Sequence, residues 1–422
     1  VRRYASLVRA RVRGGAIAAG QLTVAGAIFQ AGSFGATVVV ARLLGRSLLG
    51  EFAVATAIGS VVVAGLGGGV ANFAQRELAA GRAEPGFLRA CFRAEVGVTA
   101  AASLLATLLG LLVFRSWTGL AYGATASAAN VVLAEFALVS SMLAGLQDYR
   151  AVATAQIFAG AAIPLLTLAV IGAGVGVWGA LLAPGLAAVP PGAWLIRRLG
   201  PLGPRRGFDA VALVRRSLAF LGVGFSYGGY QKIDALVVLP VAGAATAGTY
   251  SAAYRLLSPF MLLGAGFGRV LFTSLAAAGD RLGDWGERRR RATRQFAAVM
   301  LPLVVIAVAV LPELMTGIYG PSFASARTPC RILLLSVVPF TLYWPSAIAL
   351  QTWGRERTLL SILVFSTVVE ALLVLWWAPR YGAVGAAWAW LATETTVLVG
   401  VSVAWASVAS KRAATRPDEP AS

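Results

Sequence analysis

Apolar runs of about 20 residues recur along this chain, each closed by a short basic or glycine-bearing connection. In helical form such a run matches the hydrocarbon thickness of a bilayer, so the recurrence restricts the fold to a membrane-spanning bundle. Composition agrees. With 58% hydrophobic residues, 13% charged residues and a mean hydropathy of +0.78, there is too little polar surface to cover a soluble globule of 422 residues. Regularly spaced strands of alternating polarity are missing, which argues against an outer-membrane barrel. Helices, which satisfy their own backbone in lipid, are the expected spans.

Twelve spans are expected, near residues 16–40, 52–73, 91–114, 119–146, 151–171, 178–196, 217–240, 248–275, 295–318, 330–353, 359–377 and 384–408. The opening VRRYASLVRARVRGG resembles the charged region of a signal peptide, but the apolar run behind it has spanning length and lacks a convincing cleavage site. It reads as a cytoplasmic tail. Lys and Arg in the connections number 27 on one side and six on the other. Under the positive-inside rule both termini are cytoplasmic, and the host membrane is the cytoplasmic (inner or plasma) membrane.

The stretch from Ala41 to Glu77 has an echo 198 positions later: Gly45, Gly50 and Phe52 align with Gly243, Gly248 and Tyr250, and Ala53-Val54-Ala55 with Ser251-Ala252-Ala253. Each copy starts a long apolar helix from a glycine-bounded turn, so two halves of similar design are expected. The basic linker RRLGPLGPRRGFDAVALVRR, with Pro201 and Pro204, divides six spans from six. The expected organisation is therefore a tail (1–15), an N-lobe of helices 1–6 (16–196), a linker (197–216), a C-lobe of helices 7–12 (217–408) and a second cytoplasmic tail (409–422). Part of the linker reads as an interfacial amphipathic helix, and it serves equally as a plain connection or as a joint between rocking lobes.

A net charge of +19 invites a nucleic-acid reading. The basic residues sit at helix ends without aromatic interleaving, however, and topology with anionic headgroups accounts for them, including the Arg288–Arg291 run. No nucleic-acid partner is expected. The chain has no histidine, its two cysteines fall at opposite faces of the membrane, and no nucleophile elbow, P-loop or dinucleotide fingerprint occurs. No catalytic residue, metal site or cofactor is expected, and the chain reads as a non-enzyme.

Intramembrane polar groups are the functional pointers, since each is costly unless it faces protein or a wet cavity. Lys232 and Asp234 fall in the seventh span, Arg255 and Arg269 in the eighth. Counted from the outer ends, Lys232 is ~12 Å deep and Arg255 ~10 Å at 1.5 Å per residue, and a continuous helix would turn Arg269 only ~40° from Arg255. Two readings stand. Asp234 can pair with Arg255 or Lys232 as internal glue while Arg269 snorkels to headgroups; or Lys232, Arg255 and Arg269 line a path for an anionic substrate, with guanidinium forks suited to phosphate. Three cations against one carboxylate favour the second. Gln30, Asn72, Asn130 and Glu135, with Gln21, Gln75, Glu95 and Gln156, are candidates for hydrogen bonds to sugars or between helices. Glu370 and Glu394 are candidates for a coupling proton or for pairing.

The segment RLLGRSLLGEFAVATAIGSVVVAGLGGGVANFAQRELA resembles the first helical hairpin of bacterial polysaccharide flippases of the multidrug/oligosaccharidyl-lipid/polysaccharide exporter superfamily. KIDALVVLPVAGAATAGTYSAAYRL, from Lys232 to Leu256, resembles the element that opens their second half, with Asp234 and Gly248-Thr249-Tyr250-Ser251-Ala252-Ala253 carrying the likeness. The resemblance implies an all-α polytopic protein of two pseudo-symmetric six-helix lobes in a V around a central cavity. It implies alternating-access translocation of an undecaprenyl-pyrophosphate-linked oligosaccharide, with membrane lipids, glycosyltransferases and a polymerase of the same pathway as partners. Arg255 and Lys232 would hold the pyrophosphate. The first span lacks both the Arg-Asp pair of lipid II flippases and the acidic residue common in drug exporters, which disfavours the first subfamily and leaves ion coupling open. A multidrug or small-molecule antiporter of the same superfamily is the nearest alternative. A major facilitator protein fits the span count but not the loop after helix two, and a membrane glycan polymerase or ligase lacks the large outer loop it would need.

Overall fold

The computed structural model describes residues 2–81, 83, 86–202, 209–276, 283–352 and 354–413; side chains at 2–20, 219, 220, 223, 224, 227, 269, 273, 276, 283–285 and 408–413 are outside the description. Every regular element in it is helical, with no strand among the described residues. The helices are α1 (Arg2–Gly59), α2 (Gly65–Ala79), α3 (Phe87–Phe114), α4 (Trp117–Gly145), α5 (Tyr149–Gly172), α6 (Gly176–Leu199), α7 (Ala210–Tyr230), α8 (Ile233–Ala242), α9 (Ala244–Arg255), α10 (Ser258–Ala276), α11 (Gly283–Tyr319), α12 (Arg327–Leu335), α13 (Val337–Thr352) and α14 (Glu356–Ala413). A π-helical turn, Ser60–Ala64, joins α1 to α2, and a 3-10 turn, Pro321–Ala326, precedes α12.

Among the described residues eight helical stretches are long and apolar enough to cross a membrane, or nine if the bent pair α9–α10 counts as one span. Two of them hold more than one crossing. At 58 residues α1 and α14 would each be ~87 Å long if straight, almost three times the hydrocarbon core. Each is interrupted by one glycine in non-helical backbone, Gly45 (φ 82°, ψ −177°) and Gly382 (φ 59°, ψ −138°), where the chain turns back. Positive φ is open to glycine and strained for other residues, so these two positions set the fold of their arms.

The repeat seen in the sequence has a conformational counterpart. Gly243, aligned with Gly45, takes φ 85° and ψ 164°, nearly the same backbone state. A second pair emerges only from the coordinates: Gly176-Val177-Trp178-Gly179-Ala180 and Gly382-Ala383-Val384-Gly385-Ala386 both begin on a positive-φ glycine (63° and 59°). In both, the second glycine lies against the end of the preceding helix: a β-carbon on Gly179 would come within 2.8 Å of Val170, and one on Gly385 within 2.4 Å of the Trp377 carbonyl.

The chain packs as two units, 1–232 and 233–422. The first contains α1 to α7 and is held by close backbone approach. A β-carbon on Gly32 would lie 1.8 Å from the Gly160 carbonyl oxygen, and one on Gly160 would lie 2.6 Å from Phe29 Cα, so α1 and α5 touch main chain to main chain. Gly110, Gly119 and Gly123 do the same between α3 and α4. In lipid there is no hydrophobic drive between helices, and small residues that admit van der Waals contact supply the association instead. Helix α7 packs on α2, with Gly69 against the Leu221 backbone, so the division by packing falls after α7 rather than within the 197–216 linker. Of that linker, 203–208 lie outside the described residues, and Arg215 and Arg216 belong to α7.

The second unit is packed with aromatics instead. Phe267 stacks on Phe296 at 4.5 Å, Phe340 lies 5.2 Å from Trp344, and the Trp344 indole N–H donates to the Gly264 carbonyl at 2.8 Å. Outward faces are apolar in both units. Leu104, Leu108 and Leu112, one turn apart on α3, are 56–71% exposed, as is the Phe365–Leu372 face of α14 in large part. Such continuous apolar surface belongs against acyl chains.

Candidate functional site

The expected seventh span is broken. α7 ends at Tyr230, Gln231 and Lys232 form a turn in which the Lys232 N–H donates to the Gly229 carbonyl at 3.1 Å, and α8 starts at Ile233. Gly228 and Gly229 supply the local flexibility for that break. Half-buried Lys232 therefore stands at a helix break, where backbone groups released from the helix are also available. The eighth span is broken too. α9 stops at Arg255, and α10 begins at Ser258-Pro259 with a bend of 44° between the two axes. Proline at the second position of α10 fits a helix start and disfavours helical backbone before it. The 40° offset expected between Arg255 and Arg269 holds for one straight helix, and the bend between α9 and α10 interrupts that helix. The Arg269 side chain lies outside the described residues.

Asp234 occupies the first turn of α8, where the helix dipole favours a carboxylate. One oxygen accepts from the Ala235 N–H at 2.6 Å and the other accepts from the Tyr250 hydroxyl, which α9 brings back across the Gly243 turn. Both side chains are only 1% exposed. Sequence reasoning missed Tyr250 as the partner, although the Gly-x-Tyr motif contained it.

Arg255, the last residue of α9, is half-buried beside Tyr254 and the Tyr319 ring system at the end of α11, which lie within electrostatic reach. No ion pair to its guanidinium occurs among the described residues. The rings around it are themselves fixed: Tyr254 meets Trp390 edge-on at 5.3 Å, and the Trp390 indole N–H donates to Ser336 Oγ at 2.9 Å. A guanidinium without an ion pair keeps its donor fork for an anion.

Glu370 and Glu394 stand on the two arms of α14, each twelve residues from Gly382, so both lie ~18 Å from the turn and level with one another. Both are fully buried, at 0% and 2% exposure, and α8 packs on the same helix. Asp234 and Glu394 are within electrostatic reach of Glu370, whose two oxygens have no hydrogen-bond partner among the described residues. The structure thus gathers Asp234, Tyr250, Glu370 and Glu394 into one buried acidic cluster in the second unit. Among the described residues no three potential ligands are placed to hold a metal ion.

In the first unit the candidates are dispersed. Gln30 and Asn72 are exposed, and buried Asn130 donates to the Ala126 carbonyl of its own helix at 2.8 Å, with its amide against Gly59. Glu135 is half-buried and lies within electrostatic reach of Glu95, which is fully buried. Those two acids form a group that spacing along the chain did not bring together. Near the start of α4, the Tyr122 hydroxyl donates to Glu51 of α1 at 2.5 Å, and the Tyr122 ring stacks on Trp178 of α6 at 4.3 Å.

The second unit thus combines a buried acid cluster with an arginine that has no ion pair among the described residues, within a multi-span helical protein. The sequence profile described as polysaccharide biosynthesis protein matches residues 39–328, more than half of the chain, and the chain belongs to that family. Among curated proteins none matches. Solved structures show the fold. The lipid II flippase MurJ in an inward closed conformation aligns with TM-score 0.74 at 13% identity, covering 90% of this chain and 86% of that one. An inward-facing multidrug resistance MATE family transporter of the MOP superfamily aligns with TM-score 0.69 at 14% identity, covering 92% and 96%. A MOP superfamily transporter from Pyrococcus furiosus, described as having a binding pocket of reverse polarity, aligns with TM-score 0.58 at 15% identity, covering 91% and 92%. The chain is a multi-pass membrane protein with the fold of this superfamily's flippases and exporters.

Proposed function

We propose that the protein carries an undecaprenyl-pyrophosphate-linked oligosaccharide from the inner to the outer leaflet of the cytoplasmic membrane by alternating access, with both termini in the cytoplasm. The observation that carries this reading is Arg255: a cation inside a membrane bundle, with Tyr254 and Tyr319 in electrostatic reach and without a carboxylate partner among the described residues. Leaving a guanidinium unneutralised in a bilayer is expensive, and an anionic headgroup is the ligand that offsets it. Membership in a polysaccharide biosynthesis family supports a glycan cargo, and the fold's likeness to a lipid II flippase supports a lipid-linked one. In this reading Arg255 and Lys232 hold the pyrophosphate, Arg269 extends the basic path, and Gln30 and Asn72 hydrogen-bond sugars. Glycosyltransferases and a polymerase of the same pathway supply and consume the cargo.

The Asp234, Glu370 and Glu394 cluster serves as the coupling site in the same proposal. Three buried acids, two of them within electrostatic reach of Glu370, do not all ionise together, so the cluster holds a proton whose exchange with either side of the membrane can drive the cycle. The acids also favour a second reading, proton-coupled export of small cationic compounds, consistent with the likeness to MATE transporters. Complementation separates the two. Replacing Lys232 and Arg255 by neutral residues is expected to abolish surface polysaccharide at unchanged protein level and leave sensitivity to cationic drugs as it was. Normal polysaccharide in that variant, with altered drug sensitivity, sinks the flippase reading.

A further inference from the structure

The first unit contains a second buried acid site that the proposed coupling cluster does not include. Glu95 on α3 is 0% exposed, and neither carboxylate oxygen has a hydrogen-bond partner among the described residues. Its Oε1 presses on Gly67 of α2, where any β-carbon would come within 2.3 Å of it. Glu135 on α4, next to the Ala134 that flanks Gly67 from the other side, also has a buried oxygen, Oε1, without a partner. The depths agree. Glu95 is eight residues, ~12 Å, from the start of α3, and Glu135 is ten residues, ~15 Å, from the end of α4, measured from the same end of the bundle.

One turn from Glu95 the buried Thr99 hydroxyl donates to the Glu95 main-chain carbonyl, and the rest of the packing towards the ends of α3 and α4 is apolar. Between the pair and that end lies a packed layer that includes Val70, Phe73, Cys91, Leu138, Met142 and Leu213, drawn from α2, α3, α4 and α7. Cys91, one turn below Glu95, is the other titratable group in reach; α2 presents the Gly67 backbone and α7 presents Leu213, and no cation approaches Glu95 electrostatically among the described residues. Glu95, whose two oxygens are both buried without a partner among the described residues, does not stay charged beside the half-buried Glu135 carboxylate, because a buried charge costs several kcal/mol without a counter-ion.

We propose that Glu95 and Glu135 form a proton-binding site within the first unit, carrying at least one proton and separate from the acids of α8 and α14. The neighbouring part of α2 is built to bend. The π-helical turn Ser60–Ala64 and the run Gly67-Gly68-Gly69 place the Glu95 contact on the least regular stretch of that helix. Bending α2 at Gly67 would expose the carboxyl to water, and straightening it would cover the carboxyl again, so occupancy by a proton biases the position of α2.

Infrared spectroscopy of the purified full-length protein in lipid, in a D234N/E370Q/E394Q background, reads the site without any substrate. The expected result is a protonated-carboxyl C=O stretching band that is lost when E95Q and E135Q are added together. Absence of the band in that background, or its persistence after both changes, overturns the proposal. Should the multiple variant fail to fold, the native chain is treated with dicyclohexylcarbodiimide, which adds to protonated buried carboxyls, and digested for peptide mass mapping. An adduct on Glu95 or Glu135 is expected, and a search that finds both peptides unmodified refutes the site. Neither readout depends on glycan transport, so failure of the flippase reading and failure of this site are told apart.

Discussion

Replacing Glu370 by methionine, which has nearly the same volume, is expected to make the protein more stable and inactive at once. The magnitude follows from the surroundings. Glu370 is 0% exposed and both its oxygens lack partners among the described residues, so even the neutral acid leaves polar atoms unsatisfied, at about 1–3 kcal/mol relative to an apolar group. Removing that penalty, and relieving the electrostatic strain with Asp234 and Glu394, stabilises the second unit by the same order. For a unit of this size 1 kcal/mol moves the midpoint by roughly 2–4 °C, which puts the expected rise at about 2–12 °C. Thermal unfolding of purified protein in detergent or nanodiscs measures it, and complementation of surface polysaccharide measures activity. A functional acid shows the trade-off of higher melting temperature with lost transport. If E370M melts lower than the native chain, the carboxyl makes a bond essential to folding and the coupling role loses its physical basis.

Two further expectations concern the glycines. Gly32→Ala drives a β-carbon into the Gly160 carbonyl and is expected to destabilise the α1–α5 contact by about 3 kcal/mol or more, whereas Gly26→Ala, with nothing within 4 Å, leaves folding unchanged; size-exclusion recovery of the two variants compares them. Gly45→Ala and Gly243→Ala, alike in backbone conformation, are each expected to lower stability by about 1–3 kcal/mol through positive-φ extended strain alone, because neither has a neighbour within 4 Å of an added β-carbon. Unequal melting shifts for the two would separate the halves that the repeat unites.

Apolar length and the Gly45/Gly243 echo were readable along the chain because both are local properties: hydropathy over a window, and a residue type that alone tolerates positive φ. The breaks inside the spans were not. A window average runs straight through Gln231-Lys232 and Leu256-Leu257, where glycine and proline neighbours end the helices, so hydropathy makes Arg255 part of one long span although α9 stops at that residue. Glu370 and Glu394 could be named as polar groups in apolar runs, but their equal distance from Gly382 acquires meaning only once the chain folds back there. Glu95 and Glu135 lie on different helices with a loop between them, and nothing in residue spacing pairs them. Tyr250 belongs to the Gly-x-Tyr motif, but sixteen residues separate it from Asp234, and only the Gly243 turn brings its hydroxyl to that carboxylate.

The account stands on Arg255 as the group that holds a pyrophosphate. Equilibrium binding of an undecaprenyl-pyrophosphate-linked oligosaccharide to purified native, R255K and R255A proteins is the direct measurement. Two charge-assisted hydrogen bonds of about 1.5–3 kcal/mol each are at stake, so R255A is expected to weaken binding about a hundredfold or more, with R255K between it and the native protein. Equal affinity in all three proteins would contradict the account.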